Sequence, residues 1–92
     1  MKMPAFKMED LRNKPVFDNN GIEIGNIIIT QQDKKTKLVR TAQLQLNPNL
    51  KTKYPGINRS VIYLDLNIVT VDPTTKKVTL VKTVEELAPS WK

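Results

Sequence analysis

The chain contains no cysteine and no histidine among its 92 residues. Without thiols it forms no disulfide, and without thiolate or imidazole groups it lacks the usual ligands of zinc. The Ser–His and Cys–His nucleophile systems are also excluded, as is the side chain that most often transfers protons near neutral pH. We therefore expect a protein that is not an enzyme, with no catalytic residues, no metal site and no cofactor.

Long apolar runs are missing as well, and Ile27–Ile29, for example, is only three residues long. A helix that spans a bilayer needs about 20 consecutive apolar residues. The first ten residues have no apolar stretch and contain Glu9 and Asp10, which argues against a secretory signal. We expect a cytoplasmic protein with one domain over residues 1–92, including a lead segment at 1–7 and a short helical tail at 83–92.

Acidic residues are absent between Asp33 and Asp65, although this interval holds seven of the fifteen basic residues. The rest of the chain carries eight positive and nine negative charges, so the net charge of +6 comes from this acid-free window. A basic surface attracts phosphate backbones, anionic lipids or acidic proteins, or it simply keeps the domain soluble. The candidate partner-binding residues are Lys34, Lys35, Lys37, Arg40, Lys51, Lys53, Tyr54 and Arg59.

Alternating and β-branched segments predict a chain made mostly of strands. The predicted strands are Val16–Asp18, Ile22–Thr30, Leu38–Leu46, Val61–Val71 with a bend near Asp65 or Asn67, and Val78–Val81. Several short strands with tight turns favour a small closed β-barrel of five to six strands, because closure removes the unpaired edges of an open sheet.

Three positions within these strands and turns carry specific expectations. Asn19–Gly21 is predicted to form a type I′ hairpin turn, because Asn and Gly accept positive φ. Gly25 is predicted to mark a bulge, after which the apolar face shifts to Ile27 and Ile29. Arg40 falls on the apolar face of its strand and must therefore reach solvent or find a partner.

The C-terminal segment predicts a short helix after the long loop at 47–56. Thr83 and Glu86 have the spacing of a capping box, and Pro89 ends the helix. Two arrangements of this tail are open: it folds back over its own barrel, or it packs on a second subunit or a partner protein. In the second arrangement the contact residues are Val84, Leu87 and Trp91.

Residues 11–18 and 21–27 together resemble the opening of the PRC-barrel family. The shared pattern is a Leu, a turn residue, a Lys, a short strand that ends in Asp18, a turn glycine, and Ile-Gly before the next strand. The layout extends over roughly residues 8–81. Asn13 stands where the family commonly has Gly, and residues 64–67 lack the frequent Gly-Asp, so the second half is assigned by strand pattern alone.

The resemblance implies an adaptor and no catalytic residues. PRC-barrels occur in a ribosome maturation factor that binds a ribosomal protein, in the H subunit of the photosynthetic reaction centre and in archaeal cell-division proteins. The first hypothesis is therefore a protein–protein adaptor, in an archaeal cell-division assembly, whose partner is a division-ring or ribosomal protein or a second copy of the chain.

Two other classes of function are open. A nucleic-acid-associated module in RNA processing or ribosome maturation would use the acid-free window, with Tyr54 either stacking on a base or packing beside Pro55. An enzyme would need Glu23, Asp65 or Asp72. An outward strand position explains Glu23, a turn explains Asp72, and a bend or hydrogen bond explains Asp65, so we disfavour the enzyme.

Overall fold

The computed structural model describes residues 5–92, which form mostly β-structure with short helices. The strands are β1 (Pro15–Phe17), β2 (Glu23–Gln32), β3 (Val39–Leu46), β4 (Val61–Tyr63), β5 (Val69–Val71) and β6 (Val78–Leu80). The helices are α1 (Met8–Leu11), α2 (Pro48–Lys53) and α3 (Val84–Leu87), and two 3-10 turns lie at Leu66–Ile68 and Ala88–Trp91.

The six strands form one sheet in the order β4-β3-β2-β1-β6-β5. All neighbours are antiparallel except β1 and β6, which run parallel. Among residues 5–92 the ladder does not close, because β4 and β5 are its two edges. The sheet is a curled half-barrel, and the predicted closed barrel is not formed.

The predicted strand at 61–71 is interrupted between β4 and β5. Asp65 accepts a hydrogen bond from the backbone N–H of Asn67 at 3.0 Å and caps the 3-10 turn at Leu66–Ile68. The predicted bend is thus confirmed, and it sends β4 and β5 to opposite edges. The predicted C-terminal helix is also present, but α3 is only four residues long.

One hydrophobic core fills the curled sheet, and α1, α2 and the C-terminal tail contribute to it. From Ala42 to Leu46 in β3 and across β6, its buried side chains alternate with more exposed ones, as a half-buried strand requires. The largest of them are Leu11, Val16, Ile24, Ile27, Leu44, Val78, Leu80 and Val84.

Two bulges in β2 decide which of its isoleucines are buried. Val16 lies opposite Gly25 and Phe17 opposite Glu23, so Ile24 is the extra residue and the predicted bulge is confirmed. Further along, the pairing skips Ile28 in the same way. The second bulge shifts the phase of the strand and turns Ile29 outward, so the prediction that Ile29 lies on the apolar face is wrong.

A third bulge lies in β3. Gln31 pairs with Thr41 and Gln32 with Val39, so Arg40 has no opposite residue. Val39 is buried and Arg40 is exposed. The prediction that Arg40 shares the apolar face is therefore wrong, because strict alternation does not hold through a bulge.

The turn between β1 and β2 is not of type I′, which requires positive φ at both central residues. In the segment Asn19–Gly21 only Gly21 has positive φ, at 82°. The backbone N–H of Gly21 donates to the Asp18 carbonyl at 3.0 Å, which makes Asp18 the first of four turn residues.

Helix α2 lies within the segment predicted as a loop. Asn47 is its N-cap and accepts from the backbone N–H of Asn49 at 3.1 Å, and Pro48 occupies the first helical turn. An Asn followed by Pro is a recognised helix start, so the sequence did contain the signal.

The β2–β3 hairpin is closed by a turn that Asp33 organises. Its carboxylate accepts from the backbone N–H groups of Lys35 at 2.8 Å and Thr36 at 3.1 Å. The donations from Thr36 and Lys35 lower the pKa of Asp33 below its ordinary 3.8. This stabilisation is complete above the unfolded pKa and is lost as the pH falls through the lower folded pKa.

The β5–β6 hairpin repeats this turn. Asp72 accepts from the backbone N–H groups of Thr74 at 2.7 Å and Thr75 at 2.9 Å, and the donations from Thr75 and Thr74 lower its pKa. Both turns then place a lysine at positive φ, Lys37 at 63° and Lys76 at 64°. The two hairpins therefore share the same turn geometry and the same backbone strain.

Replacing Lys37 and Lys76 by glycine should stabilise the domain. A side chain at positive φ costs about 1–2 kcal/mol and glycine avoids this cost, although glycine loses more chain entropy on folding. We expect a net gain of about 0.5–1 kcal/mol at each site, measured as a higher urea midpoint with an unchanged slope. Lys35→Gly is the control, since it lies in the same turn without positive φ. An equal gain in stability from Lys35→Gly would contradict the claim that positive φ strains Lys37 and Lys76.

Candidate functional site

The structure divides the predicted basic set into two groups. Lys34, Lys35 and Lys37 lie in the exposed turn before β3, with Arg40 in its bulge. The remaining members, Lys51, Lys53, Tyr54 and Arg59, follow the other end of the strand. The eight residues of β3 span about 27 Å, so the eight candidates do not form one patch.

Several members of the second group already have partners within the chain. The Lys51 ammonium donates to the Ser60 hydroxyl at 3.0 Å, and the Arg59 side chain donates to the Lys92 carbonyl at 3.3 Å. Tyr54 is half-buried and packs against the core. The partial burial of Tyr54 agrees with the packed alternative, with the core of the chain as its contact.

The C-terminal tail folds back onto its own sheet. Val84 and Trp91 are buried and Leu87 is half-buried. The Trp91 carbonyl accepts from the backbone N–H groups of Asn58 at 3.1 Å and Arg59 at 3.2 Å. These side chains serve the core of the chain, so they do not enter the interface that we propose below.

A buried carboxylate, which the sequence analysis left without a role, holds this tail. Asp18 is 1% exposed, and one of its oxygens accepts from the backbone N–H groups of Asn20 and Ile22, at 2.9 and 2.8 Å. The other oxygen accepts from the N–H of Val84 at 3.0 Å, across 66 positions of sequence. Asp18 therefore joins the first hairpin to the start of α3. Its place at the end of a strand was visible in the sequence, but this partner was not.

The three carboxylates considered for catalysis are separate from one another. Asp65 and Asp72 organise backbone turns, and Glu23 is exposed at the start of β2. Among residues 5–92 no three acidic side chains gather in a way that would hold a metal ion.

The outer surface of β2, β3 and β4 carries uncharged side chains. Ile29, Gln43 and Tyr63 lie side by side across the three strands, as do Asn26, Gln45 and Val61. On the same side of the sheet, the Thr41 hydroxyl donates a hydrogen bond to the amide oxygen of Gln31 at 3.1 Å. We call this surface the uncharged face; it consists of Asn26, Ile28, Ile29, Gln31, Thr41, Gln43, Gln45, Val61 and Tyr63.

Four of the large exposed hydrophobic side chains lie on the uncharged face. Tyr63 is 73% exposed and Ile29 is 44% exposed, and Ile28 and Val61 are close to 40%. Among residues 5–92 the nine members of this face are uncharged, and Arg40 lies next to Thr41 at one end. In a chain that is 26% charged, such a surface is unusual. Loss of charge together with exposed aromatic and branched side chains is typical of the centre of a protein interface.

A groove lies beside the uncharged face, between the start of β3 and the segment that follows β4. Its volume is about 580 Å³. Its apolar lining includes Leu38, Val39, Leu64 and Leu66, and its charged lining is Asp33, Arg40 and Asp65. Tyr63 belongs both to this lining and to the uncharged face. The two surfaces are thus continuous through Tyr63.

Comparison with known families identifies the class of protein. The family model described as PRC-barrel domain matches residues 3–87, so the chain belongs to this family. The resemblance found in the first strands is thereby confirmed, and the match also covers the second half. No curated protein matches the chain. None of the helices among residues 5–92 has the length and apolar character that crossing a membrane would require.

Proposed function

We propose that this PRC-barrel domain is a non-catalytic, cytoplasmic adaptor that binds another protein through the uncharged face. The observation that carries the proposal is the position of Ile28, Ile29, Val61 and Tyr63 on one surface without charges. The family resemblance makes an archaeal cell-division assembly the setting that we favour for such an adaptor.

The bulge at Ile28 supports this proposal. Without it, Ile29 would point into the core opposite Ala42, and Ile28 alone would occupy the outer position opposite Gln43. The strand instead exposes two adjacent isoleucines beside Gln43 and Tyr63. Burying such side chains yields roughly 25 cal/mol per Å², and a partner surface would supply that burial. Bulges often re-aim side chains next to functional sites.

The nucleic-acid alternative receives less support from the structure. The basic set is split by the length of β3, and Tyr54 packs on the core instead of standing free for a base. The exposed Lys34, Lys35 and Lys37 share their end of the sheet with Asp33 and Asp65, which line the groove beside Tyr63 and repel phosphate. We expect them to give at most weak, salt-sensitive binding.

Ile29→Lys should abolish partner capture from the native host without unfolding the domain. A buried charge at the centre of an interface is costly, whereas a partly exposed strand position tolerates lysine in the free protein. The measurement is an affinity pull-down with quantitative mass spectrometry, together with a thermal melt. Loss of the captured protein by about tenfold or more is expected.

Thr74→Lys is the matched control, because it adds the same charge at the exposed tip of the β5–β6 turn. It should retain the partner at the wild-type level. Equal capture by the wild type and Ile29→Lys would overturn the proposal, and RNA in the eluate in place of protein would favour the alternative.

A further inference from the structure

Within residues 5–92, the outer edge of β4 has backbone groups without ladder partners. The N–H of Leu64 donates to the Ala42 carbonyl and the N–H of Leu46 donates to the Ser60 carbonyl, both at 2.8 Å. Since alternate residues of a strand face opposite neighbours, Val61 and Tyr63 direct their N–H and C=O groups away from β3. Among residues 5–92, β4 pairs with β3 alone.

We propose that a second copy of this chain pairs with this edge, β4 against β4 in antiparallel register about a two-fold axis at Ile62. In this register Val61 of each copy lies opposite Tyr63 of the other. The four N–H and four C=O groups that are open in the two copies then complete two hydrogen-bonded pairs. The two half-barrels join into one continuous sheet.

Charge complementarity selects this register. Arg59 and Asp65 lie three positions to either side of Ile62, and the five residues between them are uncharged. Antiparallel pairing about Ile62 brings Arg59, whose side chain also donates to the Lys92 carbonyl, towards Asp65 of the partner subunit at both ends, just beyond the three residues of β4. A parallel arrangement would place like charges together, and a shift of register would leave both charges without opposite partners.

The side chains of this strand also suit self-pairing. Val61 and Tyr63 both lie on the uncharged face, so the register creates two aromatic and β-branched cross-strand pairs. The uncharged faces of the two copies become contiguous across the new β4–β4 junction. The joined surface is then twice as wide as the uncharged face of one copy, and each copy contributes half of it.

The opposite edge of the sheet lacks these properties. β5 is followed directly by Asp72 and Pro73. A charged side chain and a proline, which has no N–H to donate, are two of the features that prevent a further strand from pairing with an edge. β4 is as short as β5, but the residues directly beside it, Ser60 and Leu64, carry neither a charge nor a proline. Edge strands without such protection pair readily with a further strand, and the symmetry of its flanking charges makes a second copy the favoured one.

The test uses the charge variants Arg59→Glu and Asp65→Lys in the full chain. Each single variant places like charges opposite each other at both ends of the junction, and we expect the dimer dissociation constant to rise roughly tenfold or more. Mixing the two variants restores opposite charges in a heterodimer, and the double variant restores them in a homodimer. Sedimentation velocity over a range of concentrations measures the wild type and these four samples.

Dimers in the wild type, the mixture and the double variant, with weaker dimers in each single variant, would support the inference. A monomeric wild type at several hundred micromolar would overturn it, as would a dimer that both single variants leave unchanged. The inference does not rest on the proposed adaptor function. Ile29→Lys, two strands away from the β4 edge, should lose partner capture and remain dimeric, so that the two proposals fail separately.

Discussion

Asp18→Ala is expected to lower the free energy of unfolding by about 3–5 kcal/mol. The carboxylate is buried and accepts three backbone N–H groups, from Asn20, Ile22 and Val84. Alanine leaves these donors without the acceptor. A buried unpaired N–H costs about 1–3 kcal/mol, and hydrogen bonds to a charged acceptor are stronger than neutral ones. Marginal stability makes this a large share of the total.

The same variant should release the C-terminal tail before the sheet unfolds. Asp18 holds the N–H of Val84 at the first residue of α3, and the tail then continues to Trp91. Trp91 is the only tryptophan and is 5% exposed, so its fluorescence reports the packing of the tail. We expect a red shift of its emission in Asp18→Ala at temperatures where the β-sheet circular dichroism is still native.

Two further variants, Asp18→Asn and Asp72→Ala, separate the effect of the buried link to the tail from the effect of removing a turn carboxylate. Asn keeps one acceptor oxygen but places an amide against the N–H of Val84, so a loss of about 2 kcal/mol is expected. Asp72 organises an exposed turn where water replaces the lost acceptor, and its removal should cost much less than Asp18→Ala. Equal losses at Asp18 and Asp72 would show that the link to the tail contributes nothing.

Gly25→Ala is the second substitution with a large expected effect. A Cβ at this position would overlap the backbone carbonyl oxygen of Gln45 and would lie 3.1 Å from the Cα of Leu46, both in β3. Backbone atoms of a neighbouring strand cannot rotate away as a flexible side chain does. Forcing the strands apart should cost about 3 kcal/mol or more and lower the melting temperature by roughly 15 °C.

The other two glycines are natural controls. Gly56 has no atom within 4 Å of an added Cβ and no positive φ, so Gly56→Ala should be neutral or slightly stabilising. Gly21 also has open space, but its φ of 82° should make Gly21→Ala cost about 1 kcal/mol. Thermal melts that rank the three variants differently would contradict this account of strand contact at Gly25.

Much of the secondary structure followed from the sequence, because local chemistry determines it. The β-branched runs formed strands, the Asn and Gly positions turned the chain, and the Thr83–Glu86 capping box began α3 as predicted. Asn13 has positive φ, as expected where the family commonly has glycine. The start of α2 at Asn47–Pro48 was missed, although its signal is local too.

The sequence could not predict the candidate site, because the pairing of distant strands determines which side chains lie on it. The outward side of Ile29 results from the bulge at Ile28, and a bulge depends on the register with β3. The exposure of Arg40 has the same origin. Alternation along a single strand cannot show either, since one inserted residue reverses the side on which every later residue lies.

The sequence alone therefore determined the local elements, the family and the positions of the charges along the chain. The tertiary structure decided that the sheet stays open between β4 and β5, that the basic residues separate to the two ends of β3, and that Asp18 meets Val84. The physical reason is the range of the interactions. Turns and caps involve residues a few positions apart, whereas edges, faces and buried hydrogen bonds exist only once distant strands have paired.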